Sequence, residues 1–567
     1  MIILTLSIMK RPGEISYTLP KIREGEELLN ITQSVCPYCY RILPAAIIER
    51  NGKVYIRRVC PEHGETEELY YGDVEIYKKM VKWDEDGRGT RHIYTQVLKP
   101  CPFNCGLCPM HKQHSALVNI VLTNRCNLSC WYCFFYAEAA GYVYEPTIEQ
   151  IITMVRNIKK QGISVNVQLT GGEPTLRDDL VDIVKALKEE GVRHIQLNTN
   201  GIKFSELFWE DPEKAVSYTR ALRTSGVNTI YLSFDGVTPV TNWKNHWEIP
   251  YIFETFRRAS MTSVVLVPTV INKVNTHELG AIVKFAAKHV DIVRAVNFQP
   301  VSLTGMMKKH ERMKYRITIP DAIKLIEEQT DGEVPREAWF PIPVSAIFSR
   351  FIEAFAKEFK FEMTNHPICG AATYVYVEKK SDKTVKLIPI TQFVDVEGLL
   401  EYLKEKWEDL LSGSTRLLTG MKVLYSIRKF INQKKAPEGF DLYKILLNIV
   451  IRRNYDALGE LHYKMVFLGM MHFMDLYNYD IQRVQRCNIH YAVPDGRLIP
   501  FCAFNIFDDL YRDTVQKKYG ITLEEYSKRH ELPPKVITKK YIRNRKALES
   551  TEIYKKTYEG IIDLVKK

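Results

Sequence analysis

The chain has 567 residues, of which 46% are hydrophobic, and its 79 Lys and Arg against 67 Asp and Glu give a formal charge of +12. That length exceeds what one ordinary core organises, so several domains around a larger central one are expected, and the apolar content excludes a disordered chain. No apolar run approaches the eighteen or so residues needed to cross a bilayer, which excludes a helical membrane-spanning protein, and the cationic balance favours an anionic partner.

The opening MIILTLSIMK carries a short apolar run without a basic leader or a small-residue cleavage site, so it reads as a strand of a cytoplasmic protein. Residues 1–95 form a predicted β-rich module with Cys36-Pro-Tyr-Cys39 and Cys60-Pro-Glu-His63-Gly64 as facing knuckles. Two knuckles supply four ligands in a tetrahedron, the rubredoxin or zinc-ribbon arrangement. His63 shifts the balance toward zinc and leaves mononuclear iron open. Residues 96–115 are a predicted loop in which Cys101, Cys105 and Cys108 hold an auxiliary cluster, with His111 or His114 as candidate fourth ligands and zinc as the alternative.

From 116 to 310, short β-branched runs alternate with longer amphipathic segments, the pattern of βα units on a parallel sheet. The predicted strands are 116–123, 164–170, 193–199, 227–234, 263–270 and 292–301. Six units make an α/β fold of the partial, TIM-like (β/α)6 barrel type, whose chemistry gathers at the strand C-terminal ends. Residues 311–485 read as a mostly helical, substrate-binding region: 344–361 is amphipathic, 415–435 basic and amphipathic, and 441–453 and 463–477 are rich in Met and aromatics. Residues 486–567 hold a hairpin turned by Pro494-Asp495-Gly496-Arg497 and a basic helical tail. Cys487 and Cys502 bracket that hairpin, and with Cys369 they could close a second auxiliary cluster; unrelated buried cysteines are the alternative.

Directly after the first barrel strand, TNRCNLSCWYCFF places Cys126, Cys130 and Cys133 in one loop. With 12 cysteines in 567 residues, this spacing arises by chance on the order of 0.005 times per chain, yet it occurs twice. Three thiolates leave one iron of a cubane open, which a catalytic site needs and a structural zinc loop does not. The loop, with Tyr132 before its last cysteine, and the Gly171-Gly172-Glu173-Pro174 motif after the second strand resemble the radical S-adenosylmethionine (radical SAM) superfamily over residues 116–301. The resemblance implies a catalytic [4Fe-4S] cluster that chelates S-adenosylmethionine, with Glu173 accepting from its ammonium. It also implies that the strand ends carrying Asn198, Asn200, Ser233, Asp235, Asn297 and Gln299 meet ribose and adenine. The electron then comes from a low-potential donor of ferredoxin or flavodoxin type.

The whole layout, CPYC and CPEH ahead of CPFNCGLC, CNLSCWYC, GGEP and a late CNIHY, resembles archaeal tetraether synthases. That resemblance implies a C–C bond joining terminal methyl carbons of two isoprenoid lipid chains. The expected substrate is then a lipid with an anionic headgroup, taken up in an apolar tunnel with a basic rim, with peripheral membrane contact. The alternative is a radical C-methyltransferase acting on a pterin; no cobalamin-binding domain is visible. An iron–sulfur carrier without catalysis conflicts with GGEP, and nucleic acid is not an expected partner because much of the charge sits in the tail.

Overall fold

The computed structural model describes residues 10–133, 135, 140–307, 309–357, 362–380, 384–438, 440 and 463–565. The strand expected at the N-terminus and the amphipathic segment 441–453 lie outside the described residues, apart from Lys10. The N-terminal module is an antiparallel meander of β1 (Glu27–Val35), β2 (Ile42–Arg50), β3 (Lys53–Cys60) and β4 (Gly64–Tyr71), in that order.

The central sheet begins with β5 (Leu117–Thr123), beyond which the short β6 (Tyr142–Val143) leads into the first crossover helix. It continues through β7 (Asn166–Gly171), β8 (His194–Thr199), β9 (Val227–Ser233), β10 (Val264–Val267), β11 (Thr269–Val270) and β12 (Val293–Pro300). Neighbours from β5 to β12 pair in parallel, as the βα periodicity predicts. Crossover helices cover the outer face. The first, Ile148–Lys159, starts at a capping box on Thr147 and buries Ile151, Met154, Val155 and Ile158 at three- and four-residue spacing.

Strand alternation sorts the barrel residues. Ile120, Leu122, Val167, Leu169, Ile195, Leu197, Ile230 and Leu232 point outward into the main core. Asn119, Gln168, Thr170, Gln196, Asn198, Tyr231, Ser233, Asn297 and Gln299 point inward, around a cavity of about 540 Å³.

Past β12 helices predominate among the described residues, as expected for 311–485, but strands run between them. Helices are present at Ile319–Gln329, Val344–Ala356, Val396–Leu411 and Arg416–Ser426. Among them run β13 (Phe340–Pro341), β14 (Gly370–Lys379), β15 (Val385–Pro389) and β16 (Met465–Met471). The Met-rich segment 463–477 therefore supplies a strand where a helix is expected. Its residues are buried or half-buried on both faces, and such a strand reads as a continuous apolar run without period two. β16 lies parallel to β12 at one barrel edge, and β17 (Ile489–Ala492) lies parallel to β5 at the other, so eight parallel strands surround the cavity. β14 and β18 (Leu498–Pro500) continue the sheet antiparallel, β18 forming the expected hairpin with β17. β19 (Ile521–Thr522) pairs with β6 and starts the helical tail.

The segment 475–480, next to β16, joins module and barrel. Asp480 accepts from Thr32 Oγ1 (2.7 Å) and Tyr70 OH (2.6 Å), and Ser34 Oγ donates to the Tyr479 carbonyl (2.6 Å). Arg316 grips Asp475 at 3.0 and 3.1 Å and lies 3.1 Å from Glu68 of β4, all three side chains being buried.

Candidate active site

The cysteine loop leaves β5 and is pinned at its base by the GGE segment. Gly172 N donates to the Thr123 carbonyl (2.8 Å) and Glu173 N to that of Arg125 (2.7 Å). A Cβ on Gly171 or Gly172 would lie 2.1 Å from the Thr123 or Arg125 carbonyl oxygen, so both positions require glycine. The close approach that the motif serves is thus backbone to backbone, between the loop and β7.

Glu173 has structural partners besides the cofactor ammonium expected of it. Its carboxylate is buried and accepts from Thr175 N, Thr175 Oγ1 and Thr199 Oγ1 on one oxygen and from Asn200 N on the other. These bonds brace the ends of β7 and β8, so the carboxylate helps hold the site's shape. Pro174 opens a short 3-10 turn capped by Glu173, and neither Pro174 nor Asp235 lines the cavity, whereas Tyr132, Gly171, Gly172, Glu173, Asn198, Asn200, Ser233, Asn297 and Gln299 do.

Asp235 stands one layer behind. It is buried, forms an ion pair with Lys244 Nζ (2.8 Å), and accepts from Tyr132 OH and from Thr269 N (3.0 Å). Sequence reading missed Lys244, which lines the cavity beside Cys130 and Cys133. It also missed Lys540, whose Nζ donates to the Cys126 (2.8 Å) and Leu128 (3.1 Å) carbonyls from 414 residues away. No local signal marks a lysine for such a role.

Cys126, Cys130 and Cys133 all line the cavity. Burial pushes Cys126 and Cys130 up to about 12 and Cys133 up to about 11, with the Glu173 carboxylate adding to the first. Thiols so buried ionise in the presence of a compensating positive centre, and three of them beside Lys244 and Lys540 make a donor set that fits an iron–sulfur cluster.

A different geometry holds at the N-terminal knuckles. Cys39 and Cys60 Sγ are 3.9 Å apart, and His63 Nδ1 is 3.5 Å from Cys36 Sγ and 3.4 Å from Cys60 Sγ. A tetrahedron with Zn–S near 2.3 Å and Zn–N near 2.05 Å has edges of about 3.8 and 3.6 Å. The four ligands therefore stand where one ion would hold them. Among the described residues they are the metal-ligating group whose donor atoms all lie within 4.8 Å of one another.

The remaining cysteines divide between two places. Cys101, Cys105 and Cys108 border a small separate pocket with Lys99 and His111. The His111 ring nitrogen Nε2 there is 2.7 Å from the Cys487 carbonyl, while the buried His114 does not border that pocket. Cys369, Cys487 and Cys502, distant in sequence, meet on the wall of the same cavity as the cysteine loop, where Arg483 Nε donates to Cys369 Sγ (3.3 Å). Cys369 directly precedes β14, and Cys487 and Cys502 flank the β17–β18 hairpin. Burial raises Cys487 to about 12 and holds Cys502 well above the ordinary thiol range.

Inside the barrel a row of amides links neighbouring strands. Gln168 Nε2 donates to Asn119 Oδ1 (2.9 Å), and Gln196 donates to Gln168. Across the cavity, Asn297 and Gln299 (3.4 Å) donate to Tyr231 OH.

Residues 120–286 match the model of the radical SAM superfamily, and residues 28–72 match that of the HMPTM N-terminal zinc ribbon domain. A 7,8-dihydro-6-hydroxymethylpterin dimethyltransferase of Methanocaldococcus jannaschii is 44% identical over 513 residues, 88% of this chain and 97% of the relative. Molybdenum cofactor biosynthesis protein 1 of Bos taurus is 36% identical over 144 residues, 24% of this chain and 20% of that one. Among solved structures, the FeFe-hydrogenase maturase of Carboxydothermus hydrogenoformans aligns with a TM-score of 0.29 at 15% identity, over 38% of this chain and 52% of the other. The match that spans nearly a whole relative corrects the tetraether-synthase expectation, because that relative bears the name of a pterin dimethyltransferase. The fold, the catalytic [4Fe-4S] cluster with S-adenosylmethionine and the mononuclear metal site stand as expected. The chain belongs to the radical SAM superfamily, in the family of that Methanocaldococcus jannaschii protein.

Proposed function

We propose that this chain is a radical SAM C-methyltransferase whose substrate is a reduced 6-hydroxymethylpterin. The observation that carries the reading is the 44% identity to a protein of that name over 97% of its length. The amide row Asn119–Gln168–Gln196 and the Tyr231–Asn297–Gln299 group accord with it, because a pterin presents several ring donors and acceptors that need partners inside a barrel.

When bound, S-adenosylmethionine on the open iron supplies the hydrogen-abstracting radical chemistry of the superfamily. The chain's own residues hold and enclose. Gly171 and Gly172 fix the cysteine loop, and Lys540 ties its carbonyls to the C-terminal tail. Tyr132, Asn198, Asn200, Ser233, Asn297 and Gln299 form the cofactor pocket in this reading, with Asp235 orienting Tyr132 and Lys244. Elsewhere on the cavity lining Met470, Phe473, Met474 and Phe501 exclude water from the reacting carbon.

Cys101, Cys105 and Cys108, and likewise Cys369, Cys487 and Cys502, are assigned to auxiliary [4Fe-4S] clusters, the second facing the substrate and both fed by a low-potential electron donor of ferredoxin or flavodoxin type. The test is anaerobic incubation of the reconstituted protein with S-adenosylmethionine as radical source, dithionite, 7,8-dihydro-6-hydroxymethylpterin and a deproteinised cell extract that, with further S-adenosylmethionine, supplies the one-carbon donor. Mass spectrometry is expected to show 5′-deoxyadenosine together with singly and doubly methylated pterin. If 5′-deoxyadenosine forms without pterin methylation, or lipid extracts of expressing cells contain new tetraethers, the proposal is overturned.

A further inference from the structure

The helix Arg416–Ser426 turns only one side inward. Thr419, Gly420 and Val423 are buried, and Gly420 allows contact with the helix Val344–Ala356, since a Cβ there would lie 2.9 Å from the Phe355 ring. The outward side is not the polar face that such packing normally leaves. Leu417 is 74% exposed, Leu418 55%, Met421 51% and Tyr425 78%, and Leu417, Met421 and Tyr425 fall at four-residue intervals on one stripe. The neighbouring helix leaves Phe348 and Ile352 38% and 41% exposed, also four apart.

The helix and the turn after it carry charge of one sign, although Asp409 of the preceding helix faces Lys422. Between Leu411 and Lys435 the sequence holds Arg416, Lys422, Arg428, Lys429, Lys434 and Lys435 and no Asp or Glu. Lys422, Arg428 and Lys429 are exposed. Isolated exposed apolar residues need no explanation, but an apolar stripe on a segment that carries six cations and no acid does.

We propose that this face docks on an anionic lipid surface, the helix lying in the interfacial plane with its Leu, Met and Tyr side chains among the acyl chains and its lysines at the headgroups. The combination of an apolar stripe with a basic flank is the physical signature of an interfacial helix. A nucleic acid would match the charge but leaves Leu417, Leu418 and Met421 without a partner, because strand binding uses aromatic stacking and a cationic groove. The face is separate from the catalytic cavity, none of its residues lining it. Among the described residues no helix is long and apolar enough to cross a membrane, so such contact is peripheral.

The test is co-sedimentation of the full chain with phosphatidylcholine vesicles, with and without phosphatidylglycerol. Wild-type protein is expected to sediment with the anionic vesicles and to be released by salt. K422E/K429E and, separately, L417S/M421S should each lower partitioning about tenfold or more, with 5′-deoxyadenosine formation unchanged. Equal affinity for neutral and anionic vesicles, or unaltered binding by both variants, would overturn the proposal. So would the absence of vesicle binding alongside Lys422-dependent binding of an oligoribonucleotide.

Discussion

Replacing Arg316 by Met tests how the zinc ribbon and the barrel are joined. Arg316, Asp475 and Glu68 are buried, and the guanidinium holds Asp475 through two bonds of 3.0 and 3.1 Å while standing 3.1 Å from Glu68. Methionine keeps the apolar stem and removes the charge, leaving two carboxylates in a place that water does not reach. Breaking a buried ion pair from one side costs about 3–5 kcal/mol, and because Glu68 keeps Arg312 at 2.8 Å, the carboxylate that loses its charged partner is Asp475. The pH dependence gives the sign. Burial pushes the Asp475 carboxyl up, but Arg316 outweighs it and holds the group below its usual range, so its stabilising contribution is present at neutral pH and fades on acidification. Without Arg316, burial remains and the folded-state value rises above the unfolded one. The variant is then destabilised most at neutral pH, and its deficit against wild type narrows as pH falls toward the carboxylate range. Urea unfolding of both proteins from about pH 7 to about pH 4 measures this. A deficit below about 1 kcal/mol, or one that stays constant with pH, would refute the reasoning.

Gly172→Ala puts a Cβ 2.1 Å from the Arg125 carbonyl; acid-labile sulfide should fall by the share of the cysteine-loop cluster while the single metal of the N-terminal knuckles is retained, as elemental analysis would show. His63→Ala removes the nitrogen donor and should speed release of the mononuclear metal to a chelator by tenfold or more while leaving the acid-labile sulfide content intact. Lys540→Met loses the bonds to the Cys126 and Leu128 carbonyls of the loop; its reconstituted cluster should bleach in air several-fold faster than wild type, and an unchanged rate would assign the lysine to the tail alone.

Much of this protein is local and therefore written in its sequence. Thiols three or four positions apart occupy one loop whatever surrounds them, so the cysteine groups stand out as candidate metal sites, and the half-buried barrel strands show their period because one face meets helices and the other a cavity. The Met-rich β16 escapes that reading since both its faces are covered, which removes the alternation that distinguishes strand from helix. The tertiary structure alone set Lys540 on a loop 414 residues away, paired Lys244 with Asp235 beside the cysteines, and gave Glu173 its bonds to the ends of β7 and β8. Those relations depend on which surfaces meet when the strands close around the cavity, and no short-range pattern encodes such a meeting.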